Sequence, residues 1–193
     1  GERGIGNTTT SSAVLAALTG APVEALTGRG GGLTDSAFET KKRVIQQALD
    51  LHRPPQDDPV AVLSMVGGLD LAAMTGAFLG CAREGVAAVV DGFISVVAAL
   101  CAARLCPAAK DMMFLSHASY EAGYRLAADE LGLEPCLLLG MRLGEGSGCP
   151  LMFRVLQGAC AVLRDMATFA EGEIQDDYLA PIRAMDAFTV ENT

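Results

Sequence analysis

Short apolar runs alternating with helical stretches, a core lacking large aromatics, and three glycine-rich loops predict an α/β fold. The expected architecture is a three-layer, Rossmann-like parallel sheet flanked by helices. The 193 residues are 51% hydrophobic and 5% aromatic with no Trp, so Ala, Val, Leu and Met must build the interior. Small side chains of this kind suit helices packed closely on a sheet. The length suffices for one substantial core.

Taken in order, the elements have legible boundaries. Gly1 to Asn7 is glycine-rich, and a Thr/Ser run then enters the helical stretch SSAVLAALTG, stopped by Gly20 and Pro22. The second glycine loop, TGRGGGLTD, leads to SAFETKKRVIQQALDLH, for which Asp35 is the expected N-cap. Pro54 and Pro55 interrupt the chain, and Asp58-Pro59 opens a helix with Pro at its first position. LDLAAMTGAFLGCAREG reads as helix. VAAVV reads as a strand buried on both faces, running into Asp91-Gly92-Phe93. FISVVAALCAARL is a buried helix, DMMFLS a second strand, and SYEAGYRLAADELG a helix closed by Gly132. The third glycine loop, LGEGSG, precedes a long helix, PLMFRVLQGACAVLRDMATFAEGE. The expected division is a catalytic domain over 1–175 and an acidic tail over 176–193.

Charge and cysteine usage narrow the function. With 14 basic and 23 acidic side chains the net charge is −9, which argues against nucleic acid and anionic membranes as partners. Asp91-Gly92 divides the most apolar stretch, 86–105, into pieces too short to cross a bilayer. Cysteines at 81, 101, 106, 136, 149 and 160 form no CxxC pair, so buried, reduced thiols in a cytoplasmic protein are expected. With only His52 and His117 available, no metal site is expected. The first residues lack the charged-then-apolar order of a signal peptide, and no Met begins the chain, so a processed product or a fragment is expected.

The chemistry concentrates in the glycine loops. Glycine lets backbone N–H groups approach a ligand, and a helix beginning just after favours an anion. No loop fits the P-loop spacing, and GRGGG does not fit a dinucleotide fingerprint. A phosphate-sized site remains, with Lys41, Lys42, Arg29 and Arg3 as candidate cations. By spacing alone, Lys41-Lys42-Arg43 reads as a solvated helix face. Glu145, flanked by glycines, is either a solvent-exposed loop acid or a general base whose pKa a shielded pocket would raise. Glu2 has a similar setting, and two acids on separate loops suit chemistry at an anomeric carbon.

Together GERGIGNTTTSSAV, GRGGGLTD, LDLAAMTGAFLG, VDGFISVVAA, SHASYEAG and LGLEPCLLLGMRLGEGSG, followed by MATF, resemble the nicotinate-nucleotide–dimethylbenzimidazole phosphoribosyltransferase family. The likeness runs in order from Gly1 to about Glu171. It implies attack of a benzimidazole nitrogen on the ribose carbon of nicotinate mononucleotide, giving α-ribazole 5′-phosphate and nicotinate for cobalamin assembly. Positioning and acid–base chemistry suffice, without a cofactor.

The resemblance also assigns roles. It implies Glu145 as general base and Glu2 as second acid. Phosphate and substrate contacts fall to Gly4, Gly6, Asn7, Thr8, Gly30, Lys41 and Ser119, with Asp91 shaping the pocket and Leu143, Gly146 and Gly148 on the third loop. A homodimer is implied. The sequence departs from the family at Val96, Ala122, Tyr124, Cys149 and Pro150, and it begins where the family's C-terminal half begins. The half that supplies much of the aromatic-base pocket is missing, which leaves a second possibility: a truncated, non-catalytic homologue that binds a nucleotide or a protein partner.

Overall fold

The computed structural model describes residues 5–175 and 180–184, and among residues 180–184 the side chains of 182 and 183 are outside that description. Its order is α1 (Asn7–Thr19), α2 (Val23–Leu26), α3 (Asp35–His52), α4 (Pro59–Val66), α5 (Leu69–Glu84), β1 (Ala88–Val90), α6 (Phe93–Leu105), a 3-10 turn (Pro107–Met112), β2 (Met113–Leu115), α7 (Tyr124–Leu131), α8 (Gly148–Asp165) and α9 (Ala180–Arg183). β1 and β2 pair in parallel, Val89 opposite Phe114, and a bridge from His117 to Leu137 extends the pairing beyond β2. The chain is therefore α/β, with a small parallel sheet among many helices.

A helix buried on nearly every side organises this layer. α6 buries Phe93, Val96, Val97, Ala98, Ala99, Leu100, Cys101 and Ala102, so it has no polar face and must be enclosed by neighbours. It packs on α1, α5 and α7. Val96 is fully buried, so an apolar residue fits this position. Gly123 shows how tightly α6 is enclosed: a Cβ there would stand 2.7 Å from the Phe93 ring and 3.0 Å from Leu15.

Several boundaries differ from expectation, for local reasons. The N-cap of α3 is Thr34, whose hydroxyl accepts the Ala37 N–H, so Asp35 becomes the first helical residue. α7 starts only at Tyr124, because Ser119 Oγ accepts the Glu121 N–H at 3.4 Å and Glu121 O accepts the Tyr124 N–H, folding 119–123 into a turn. α8 ends at Asp165. Beyond it, the Thr168 N–H and hydroxyl both donate to the Glu171 carboxylate while Thr168 Oγ1 accepts the Glu171 N–H, a reciprocal cap that closes a separate turn. α8 begins at Gly148, and Pro150 fits its first turn, where no intrahelical N–H is required.

The expected burial of the thiols needs correction. All six are free, but only Cys101 is buried, and burial pushes its thiol up to about 12. Cys81 and Cys149 are half-buried, and Cys106 at the end of α6, Cys136 in the loop after α7 and Cys160 on α8 are exposed. No described helix is long and apolar enough to cross a membrane. The chain divides into two compact units, Gly1–Arg154 and Val155–Thr193, and every site feature described below belongs to the first.

Candidate active site

The N-terminal end of α1 forms one side of the site. Gly6 caps the helix at φ +90, a left-handed conformation that glycine adopts without strain, and Asn7 and Thr8 are its first helical residues. The first N–H groups of a helix have no acceptor within it, and its dipole favours an anion there. Lys41, on α3, reaches this end from within the protein. It is 7% exposed. Its Nζ donates to Thr8 Oγ1 and to the Gly28 carbonyl, both at 2.9 Å. Burial lowers the Lys41 pKa from 10.5, and the charge of Glu121 opposes that shift.

The GRG loop closes over the same point. Gly30, at φ +54, crosses Thr8 so closely that a Cβ would lie 3.0 Å from Thr8 Oγ1. Arg29, a candidate cation in the sequence, turns away: it pairs with Asp35 at 2.6 Å and lies 4.8 Å from the Phe38 ring centre. Lys42 pairs with Glu39. The solvated helix face expected at 41–43 is therefore wrong for Lys41, which is buried, while Lys42 is half-buried against Glu39 and the Phe38 ring.

The second side is the third glycine loop. Gly144, Glu145 and Gly146 have φ of 72, 57 and 74, three left-handed residues in succession. Asp91, just past β1, holds this turn by its backbone. Oδ2 accepts the Gly146 N–H at 3.1 Å and Oδ1 accepts the Gly148 N–H at 2.8 Å. These charge-assisted bonds fix the loop at the carboxyl end of the sheet, where ligands of open α/β folds bind. The Glu145 side chain is exposed, so the shielding that base chemistry was expected to need does not come from the described residues. Leu143 is 75% exposed on the same loop.

Ser116 and His117 complete the knot under the loop. Ser116 Oγ donates to the Asp91 carbonyl at 3.1 Å and lies 3.0 Å from His117 Nδ1, which is 3.7 Å from Asp91 Oδ1. A side chain at Gly148 would collide with His117, Ser116 and Asp91, so only glycine lets α8 start against them. The sequence had given Ser116 and His117 no part in this site. Their position at the end of a predicted strand, just before Ser119, was the available signal. Ser119 adjoins the sheet side, with Oγ 3.7 Å from the place a Gly92 Cβ would occupy. Stacking of Arg142 on Tyr120, 4.6 Å to the ring centre, links the loop of Glu145 to that of Ser119.

Of the expected site residues, Gly6, Asn7, Thr8, Gly30 and Lys41 gather at the α1 end, and Asp91, Ser119, Gly146 and Gly148 gather at the sheet end. Glu2, Gly4 and Arg3 lie outside the described residues. A shallow cavity of about 310 Å³, lined by Ala17, Gly20, Gln46 and Arg53 among others, lies at the opposite end of α1 and touches none of these groups.

Known proteins resemble this chain in both sequence and fold. A family model described as "Phosphoribosyltransferase" matches residues 1–174. A nicotinate-nucleotide–dimethylbenzimidazole phosphoribosyltransferase of Clostridium perfringens (strain ATCC 13124) is 52% identical over 190 residues, 98% of this chain and 53% of that protein. One of the same name from Pseudomonas aeruginosa (strain UCBPP-PA14) is 49% identical over 176 residues, 91% of this chain and 50% of that protein. The crystal structure of CobT from Thermus thermophilus superposes with a TM-score of 0.83 at 39% identity, covering 90% of this chain and 51% of that one. The chain spans about half the length of the curated relatives it matches.

Proposed function

We propose a reaction for this chain from the premise that it belongs to the phosphoribosyltransferase family whose model matches residues 1–174. The reaction is transfer of phosphoribosyl from nicotinate mononucleotide to a benzimidazole-type base, giving α-ribazole 5′-phosphate and nicotinate. The observation that carries this reading is the latch between Asp91 and the amides of Gly146 and Gly148, which holds an acid-bearing turn at the sheet's carboxyl end. Lys41, aimed at the start of α1, supports the other half of the reading.

In this scheme the phosphate rests on the start of α1, with Gly4, Gly6, Asn7, Thr8, Gly30, Lys41 and Ser119 around it. Glu145 takes the proton from the acceptor nitrogen as it bonds to the ribose carbon. Its negative charge also offsets the positive charge that develops on the sugar as nicotinate leaves. Glu2 serves as the second acid, and Leu143 lines the acceptor side. Proton transfer and positioning complete the reaction without a cofactor.

The catalytic domain of this proposal is 1–175, with 176–193 as an acidic tail, and the family match to residue 174 supports that division. We place the enzyme in the cytoplasm as a homodimer. Large apolar side chains left open, among them Leu138 at 80% and Leu139 at 59% exposure, support association. The second reading, a non-catalytic homologue that binds a nucleotide or a protein, draws on the open Glu145 and on the half-length coverage of the relatives. Incubating the purified chain with nicotinate mononucleotide and a panel of aromatic bases separates the two. Release of nicotinate supports the transferase, whereas saturable nucleotide binding without turnover supports the homologue.

A further inference from the structure

Lys41 carries a buried positive charge whose hydrogen bonds, among the described residues, go only to neutral groups. Its two acceptors are the Thr8 hydroxyl and the Gly28 carbonyl, and no described carboxylate stands within ion-pair distance. Buried charges ordinarily find a counter-charge, because removing an ammonium from water is costly. Its surroundings offer few. α1 has no charged residue, and neither does α4. The acid of α2, Glu24, is exposed. On α3, Lys42 is paired with Glu39, and in the GRG loop Arg29 is paired with Asp35.

Among the described residues Glu121 is the acid that remains, and its placement is unusual. One carboxylate oxygen, Oε2, is fully buried and has no hydrogen-bond partner among the described residues. The carboxylate lies in the space that a side chain at position 28 would occupy, so it depends on glycine there. Its backbone N–H is held by Ser119 Oγ. Gly28 is thus shared: its carbonyl binds Lys41 while its Cα side receives Glu121.

We propose that Glu121 is a positioning residue for Lys41, its carboxylate lodged against Gly28 as the counter-charge that keeps the ammonium available to a phosphate. Separation through Gly28 matters. An ammonium has three N–H donors, and a direct ion pair would occupy the third. Glu121 compensates the charge and leaves that donor for the ligand. The inference rests on the phosphate role proposed for Lys41.

The lysines at 41, 42 and 110 are the only three in the sequence, so their side-chain carbons can be titrated individually by NMR and assigned with Lys41→Arg. Lys41 is expected to titrate below the ordinary lysine value of 10.5. In Glu121→Gln its midpoint falls further, by about one unit, as for loss of a nearby opposite charge. Gly28→Ala, which puts a methyl where the carboxylate lies, moves it in the same direction. Binding of inorganic phosphate, followed by calorimetry across the same pH range, is then lost at correspondingly lower pH. An unchanged Lys41 midpoint in folded Glu121→Gln overturns the proposal, and that variant decides alone if Gly28→Ala does not fold. Equal phosphate affinity of Lys41→Ala and the wild type would instead remove the phosphate role, while the titration still judges Glu121.

Discussion

Lys41 is 7% exposed on a helix of 18 residues, with its ammonium fixed by Thr8 and Gly28. Glu145 stands open on a turn that Asp91 holds by its backbone, through the amides of Gly146 and Gly148. In the first region the chain orders a side chain before any ligand arrives. In the second it orders the platform and leaves the side chain in water. A binding group benefits from being fixed in advance, because less ordering remains to be done on association. An acid–base group needs the right protonation state at the right moment, and partial exposure lets ligand or neighbouring protein complete its surroundings.

The sharpest way to break this contrast is at Glu145. Glu145→Gln keeps size and reach but removes basicity, so turnover is expected to fall by roughly 10²–10⁴-fold. Calorimetry should find nicotinate mononucleotide binding far less altered. Near wild-type turnover would pass the base role to Glu2, and lost nucleotide binding without selective loss of rate would recast Glu145 as a ribose ligand.

Asp91→Ala tests the platform. It removes two charge-assisted hydrogen bonds, each worth about 1.5–3 kcal/mol, and frees the loop. The rate should fall on the order of 10²-fold, with a melting temperature lower by roughly 10 °C in calorimetric scans. An unaltered rate with lowered stability would confine Asp91 to the fold.

Lys41→Ala tests the fixed end. A charge-assisted contact to phosphate is worth about 1.5–3 kcal/mol, so affinity for nicotinate mononucleotide should drop roughly tenfold to a hundredfold. Wild-type affinity in this variant would take Lys41 out of the site.

The smallest effect is one of pH. The folded pKa of Lys41 lies below 10.5, so in the interval between the folded value and 10.5 the unfolded chain binds more protons. Stability should therefore rise with pH through that interval and be lost as pH falls through the folded value. Urea midpoints should lack this rise in Lys41→Met. The same slope in both proteins would show that the ammonium is not burdened by burial.

How much of this was legible in the sequence follows the physics of each part. The strands at 88–90 and 113–115, the helix α4 with its Asp58 cap and Pro59, and the stops at Gly20 and Gly132 come from local rules. The starts of α3 and α7 did not, because two candidate caps adjoin at 34 and 35 and because Ser119 ties back a segment with helical composition. Lys41 was ambiguous by spacing, since adjacent lysines on one helix point about 100° apart and only packing decides which faces in. Resemblance, rather than local pattern, singled it out. The roles of Ser116, His117 and Glu121 depend on contacts between segments far apart in sequence, which no local pattern encodes.

The left-handed turn at 144–146 also bears on what the fold would choose if left to itself. Glu145 lies at φ +57 between two glycines that are also left-handed. An L-residue with a bulky side chain is held there at a cost on the order of 1 kcal/mol relative to glycine. A third glycine would relax the turn, and selection for stability alone would drift towards it. On the base role proposed for Glu145, the position trades some fold stability for the reach of one carboxylate.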